Sequence, residues 1–122
     1  MEYDFRYLVG KYGEAGAREK FEKICIEAFQ EKFGPKAKEV AVSQWDDGID
    51  ILVGELTDRP SVYQCKFFIN GIGESQKQQI RNSFSTVITS HPNISSWFLC
   101  VPVGLNIQEL QWWSTWKSKT KA

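Results

Sequence analysis

Apolar positions recur at helical spacing between Glu14 and Phe33. Phe21, Ile24, Cys25, Ala28, Phe29 and Phe33 follow an i, i+3, i+4, i+7, i+8, i+12 order, and Gly34-Pro35 ends the run, which predicts a helix. The period then shortens. Lys38–Gln44 alternates around Val40 and Val42. Ile49–Gly54 and Ser61–Phe68 are rich in β-branched and aromatic residues, and the turn-rich segment from Glu55 to Pro60 joins them as a hairpin. After Gly71-Ile72-Gly73, Glu74–Ser90 returns to helical spacing with Ile80, Phe84, Val87 and Ile88 on one stripe. Ser96–Val101 is an unbroken apolar run closed by Pro102 and predicts a fully buried strand. Asn106 and Glu109 have capping-box spacing and open a last helix that ends near Trp116. The predicted class is α/β, in the order α-β-β-β-α-β-α, with no internal repeat or interior linker.

A length of 122 residues suits a single domain spanning 1–122, and 42% apolar with 14% aromatic residues is enough for a packed core. No apolar stretch approaches the ~20 residues of a membrane span. No basic start with an apolar core and cleavage site follows Met1, so the expectation is a cytoplasmic chain without a membrane partner. The basic, apolar-poor stretch Lys117–Ala122 reads as a frayed tail or a linker to another domain.

Formal net charge is zero, but unevenly spread. Residues 1–60 carry nine basic and thirteen acidic side chains, and residues 61–122 carry six and two. A dedicated DNA binder usually has excess positive charge, so any nucleic-acid contact here is local or reinforced from outside the chain. Cys25, Cys65 and Cys100 are far apart in sequence, with no CxxC and no flanking His; they read as small apolar core groups rather than a zinc site. His91, before Pro92, has no nucleophile to serve.

Three polar residues interrupt segments that otherwise favour burial: Asp50, Gln64 and Lys66. Alternation places Gln64 and Lys66 on one face of their strand. A hairpin turn centred on Asp58 pairs Asp50 with Lys66 and Leu52 with Gln64, gathering a carboxylate, an amide and an ammonium. The alternative is a half-buried cross-strand ion pair with no catalytic part. On the first helix, Glu22 falls between Phe29 and Phe33 around the axis, so it is the acid aimed at the protein; a pairing with Arg18 would explain it equally well. Gln76 and Lys77 lie on the inward line where the second helix begins, with Arg81 beside them. They suit an anionic ligand or a solvated first turn.

Gly48-Ile49-Asp50 followed by Tyr63-Gln64-Cys65-Lys66, after a helix carrying Phe21-Glu22, resembles the PD-(D/E)xK nuclease superfamily. The likeness is to its Mrr-like, restriction-endonuclease-like branch, in which Gln replaces the acid of the (D/E)xK element. Tyr63 to Phe68 and Glu74 to Ile80 look like the N-terminal nuclease modules of bacterial anti-phage defence proteins. The likeness spans roughly Gly13 to Trp116. One departure stands out: the family's Gly-Asp-Gly-Gly approach to the catalytic Asp reads Trp45-Asp46-Asp47-Gly48 here.

The resemblance implies a three-layer α/β/α sandwich around a mixed sheet, and a Mg²⁺-dependent endonuclease, Mn²⁺ substituting, that cuts DNA with little sequence preference. It implies that Asp50 is the main metal ligand, a hard oxygen donor for a hard cation. Gln64 would add its oxygen or orient a water, the Cys65 carbonyl would be a further ligand, and Glu22 would bind directly or through water. Lys66 would hold the attacking water and neutralise charge on the phosphate, while Lys77, Arg81 and Gln76 would hold neighbouring phosphates. It also implies a larger protein with an attached NTPase or sensor domain, or a homo-oligomer. The competing expectations are an RNase on the same scaffold and a decayed interaction module. Gln64 speaks for the latter, as do Trp112, Trp113 and Trp116, which cannot all face one small core, so that some are expected to pack against a neighbouring domain or a second subunit.

Overall fold

The computed structural model describes residues 5–40, 49–55 and 57–120. The elements are α1 (Phe5–Phe33), a 3-10 turn (Gly34–Lys36), β1 (Ala37–Glu39), β2 (Ile51–Val53), β3 (Ser61–Cys65), α2 (Glu74–Ser90), β4 (Ser96–Cys100) and α3 (Ile107–Thr120). Their order is the one the pattern predicts. The second half of the predicted strand Lys38–Gln44, and Asp46 and Asp47, lie outside the described residues.

Gly13 breaks α1. Its φ of 79° and ψ of 170° are not helical, so the segment that the spacing predicts starts afresh at Glu14. The unpredicted stretch before it carries Phe5, which is buried with ring centroids 5.2 Å from Phe21 and 6.2 Å from Phe67. At the other end, α3 continues through residues 117–120, where composition predicts a tail.

The four strands form one mixed sheet in the order β1-β2-β3-β4, antiparallel except for the β3–β4 pair. Ile51 pairs with Tyr63 and Leu52 with Val62, so the hairpin register lies two residues from the one centred on Asp58. An even shift leaves faces unchanged, but Leu52 opposes Val62 rather than Gln64, and Asp50 does not oppose Lys66. The Asp50 N–H donates to the Tyr63 carbonyl at 2.9 Å although Ile51 already opposes Tyr63. Two residues against one is the signature of a β-bulge, and it turns Asp50 out of the ladder.

One face of the sheet meets α1. Phe29 lies 4.2 Å from Tyr63, which stacks on Phe98 at 4.7 Å. The other face meets α2 and α3. Leu52, Val62, Val87 and Ile94 are buried together there, with Trp97 against them. Phe68, Ile72 and Ile80 form a second cluster, covered by Trp112, Trp113 and Trp116. The three α3 tryptophans spread their contacts: they pack on one another and, edge to face, on Phe84 and Trp97, and each stays half-buried rather than reaching the core. β4 is less buried than its apolar run implies, because it is the sheet edge: Phe98 is 44% exposed. Among the described residues no helix is long and apolar enough to cross a membrane.

The capping box at α3 forms as predicted. The Glu109 N–H donates to Asn106 Oδ1 and the Asn106 N–H to Glu109 Oε1, both at 2.8 Å. Glu109 Oε2 also accepts the Ile72 N–H at 2.5 Å, which fastens the Gly71–Gly73 turn before α2 to α3. Gly71 is required there. Its φ is +95°, and a Cβ would come within 2.8 Å of Glu109 Oε2.

Candidate functional site

Where β3 ends, α1 and the start of α2 leave a cavity of about 500 Å³. Glu22, Asp50, Gln64, Cys65, Lys66 and Gln76 line it, so six residues that the sequence reading singled out come together. Each arrives for a local reason. Glu14, Arg18 and Glu22 recur every four residues on α1, the spacing that stacks side chains on one helix face. The bulge turns Asp50 to the cavity wall, and its Oδ2 accepts the Cys65 N–H at 2.6 Å. In extended backbone a residue's N–H and C=O point toward the same neighbour, so the Cys65 carbonyl projects to the Asp50 side.

Gln64 is the one polar side chain among the described residues that is buried, at 4% exposure. Burying an amide costs free energy unless its polar atoms are engaged, and this one is buried on the cavity wall. Glu22 carries the clearest electrostatic mark. Burial raises its pKa above the ordinary carboxylate range, and the neighbouring Asp50 raises it further, against a lowering by Arg18. Two carboxylates that disfavour each other's charge make a place where a cation is welcome.

The structure does not bring Lys77 and Arg81 into this cavity. Lys77 lies 3.4 Å from Glu74 and its ammonium sits over the Trp112 ring at 5.5 Å, while Arg81 donates to Gln78 at 3.0 Å. Ile80 sets the rotation of α2 by burying against Phe68 and Ile72, which turns Gln76 and Gln79 toward the cavity and Lys77 toward α3. Arg18, Gln79 and Asn70 line the site without having been singled out for it. Arg18 had a legible signal, four residues before Glu22 inside the inward arc. Its ion pair is with Glu14 at 3.6 Å, not with Glu22.

The donor set is rich in oxygen. Among the described residues no three His, Cys, Asp or Glu side chains are placed to share a metal ion. Among the described residues, a cation here would draw on the Glu22 and Asp50 carboxylates, the Gln64 amide oxygen, the Cys65 carbonyl and water, which suits a hard ion such as Mg²⁺.

The three cysteines also converge, despite their distance in sequence. Cys25, Cys65 and Cys100 are free thiols: Cys65 and Cys100 are direct partners across the β3–β4 pair, and Cys25 comes within side-chain hydrogen-bonding reach of both from α1. The bond with Cys25 lowers the pKa of Cys100 to about 4, and its counterpart pushes Cys25 up to about 12. The Cys65 thiol is raised, first through its bond to Cys100.

Comparison of the chain with family models, curated proteins and solved structures returns no match.

Proposed function

We propose that this chain is a divalent-cation-dependent endonuclease domain that hydrolyses phosphodiester bonds of DNA, on a restriction-endonuclease-like three-layer α/β/α sandwich. One observation carries the reading: Glu22, Asp50, Gln64 and Lys66, from a helix, a bulge and a strand end, line a single cavity. The resemblance names those four residues for one site. α1 on one face of the sheet and α2 with α3 on the other fit the three layers.

Asp50 and Glu22 would hold Mg²⁺ or Mn²⁺ with the Gln64 oxygen and the Cys65 carbonyl. The bound ion supplies Lewis-acid stabilisation of the charge that grows on the scissile phosphate. Lys66 places its ammonium beside that phosphate, neutralises a non-bridging oxygen and holds the attacking water. Arg18, on the cavity wall, takes the role expected of Lys77 and Arg81: its guanidinium grips an adjacent phosphate. Gln76, Gln79 and Asn70 donate amide N–H groups to backbone oxygens, contacts that position a strand without reading its sequence. With no net positive charge, affinity and selectivity fall to attached domains or to assembly, in keeping with a defence effector.

Supercoiled plasmid incubated with the purified chain tests the proposal. Nicking and linearisation are expected with Mg²⁺ or Mn²⁺, none with EDTA, and none with Lys66→Ala. Equal cleavage by Lys66→Ala removes the site assignment, and cleavage confined to RNA moves the substrate class.

A further inference from the structure

On the α1 side of the sheet, helix and strands stack in matched layers. Four residues of helix rise about 6 Å and two residues of strand rise about 6.6 Å, so partners stay level along both. Phe29 meets Tyr63, which stacks on Phe98. One layer on, Cys25 meets Cys65 and Cys100, which are direct partners across the parallel β3–β4 pair. One layer further, Phe21 meets Phe67 at 5.9 Å. Rings above and below flank the three cysteines, and each of these residues is half-buried rather than sealed in the core. Nothing in the proposed hydrolysis uses their sulfur atoms.

We propose that Cys25 and Cys100 are a thiol oxidation site that closes to a disulfide when the chain meets a peroxide. One thiol, as its thiolate, attacks a peroxide oxygen and is oxidised to a sulfenic acid while the other oxygen leaves and is protonated to water. The second thiol then attacks that sulfur, the S–S bond forms, and its hydroxyl leaves as a second water. Two thiols thus lose two electrons and two protons, and the peroxide is reduced to two waters. The pairing follows from spacing. Adjacent strands lie ~4.8 Å apart, and directly opposed Cβ atoms keep near that distance, wider than the ~3.8 Å a disulfide prefers. Cys65 and Cys100 are held at that strand spacing, whereas Cys25 approaches from a helix that no ladder constrains. The bond pins α1 to the sheet edge and is independent of the nuclease reading.

The test is peptide mapping of the full chain after hydrogen peroxide, with thiol alkylation and non-reducing electrophoresis. The mass is expected to fall by two hydrogens, alkylatable thiols to drop from three to one, and one peptide pair to join Cys25 to Cys100 in a band at the monomer position. Cys65→Ser keeps the link, and Cys25→Ser or Cys100→Ala loses it. Three thiols that stay alkylatable, a wild-type link through Cys65, or a dimer band overturns the proposal. The wild-type map decides on its own if a variant fails to fold.

Discussion

Gln64 and Lys66 at the end of β3 face amides, carboxylates and solvent, whereas Trp97 on the neighbouring strand is enclosed by Phe84, Trp113 and Trp116. The polar corner concentrates groups that are costly to bury, and the aromatic cluster concentrates ring contacts that stabilise by area and edge-to-face packing. A residue kept in the first region contributes through what it binds, and one in the second through what it covers. Substitutions in the two regions should therefore move different measurements.

The largest effect belongs to Asp50. Asp50→Asn keeps an oxygen to accept the Cys65 N–H and removes the charge, so cleavage should fall on the order of a hundredfold or more, with the thermal midpoint little changed. Asp50→Ala adds a stability loss of ~1–2 kcal/mol, because the Cys65 N–H loses its acceptor. Trp97→Ala should invert the pattern. It lowers unfolding free energy by ~3 kcal/mol in denaturant titration while cleavage per folded molecule persists. Trp97→Phe should cost far less, since it also removes an indole N–H that is buried without a hydrogen-bond partner among the described residues. If cleavage and stability fall together in both regions, the division is wrong.

Glu109 joins the two regions, because it caps α3 and holds the turn ahead of Gln76. Glu109→Ala should cost ~1 kcal/mol, as lost caps do. Bonds from Asn106 and Ile72 N–H hold its pKa below the ordinary 4.5. Its stabilisation is therefore present above that value and lost as pH falls below it, so wild type and variant should converge in acid unfolding. The smallest effect on stability is at Glu22, whose pKa is raised. Its carboxylate opposes folding once pH rises above the ordinary 4.5, so Glu22→Gln should raise the midpoint slightly at pH 7 and leave it unchanged at pH 3. Solvent screening keeps this gain under ~1 kcal/mol. Mg²⁺ should cancel or reverse it.

Element order was legible because periodicity and punctuation agree: the bounds Glu74–Ser90 and the Asn106–Glu109 cap follow directly from spacing. Glu22, Asp50, Gln64 and Lys66 were legible for a different reason, as polar groups in apolar stretches. The register was not, since a hairpin without a two-residue turn leaves its centre undefined, and alternation carries no mark of the bulge at Asp50. Lys77 was misplaced because a wheel shows that a residue faces inward, not which of two neighbouring surfaces it meets. The thiol cluster was invisible, because three distant cysteines share a layer only once α1 and the β3–β4 pair are stacked.

Manganese binding tests the central claim most directly. Paramagnetic Mn²⁺ titrated into the metal-free chain should be immobilised at one site by wild type and displaced by Mg²⁺. Asp50→Asn should lose that binding, and Trp97→Phe should keep it. Wild type that binds no Mn²⁺ at millimolar concentration, or Asp50→Asn that binds it as well as wild type, would contradict the account.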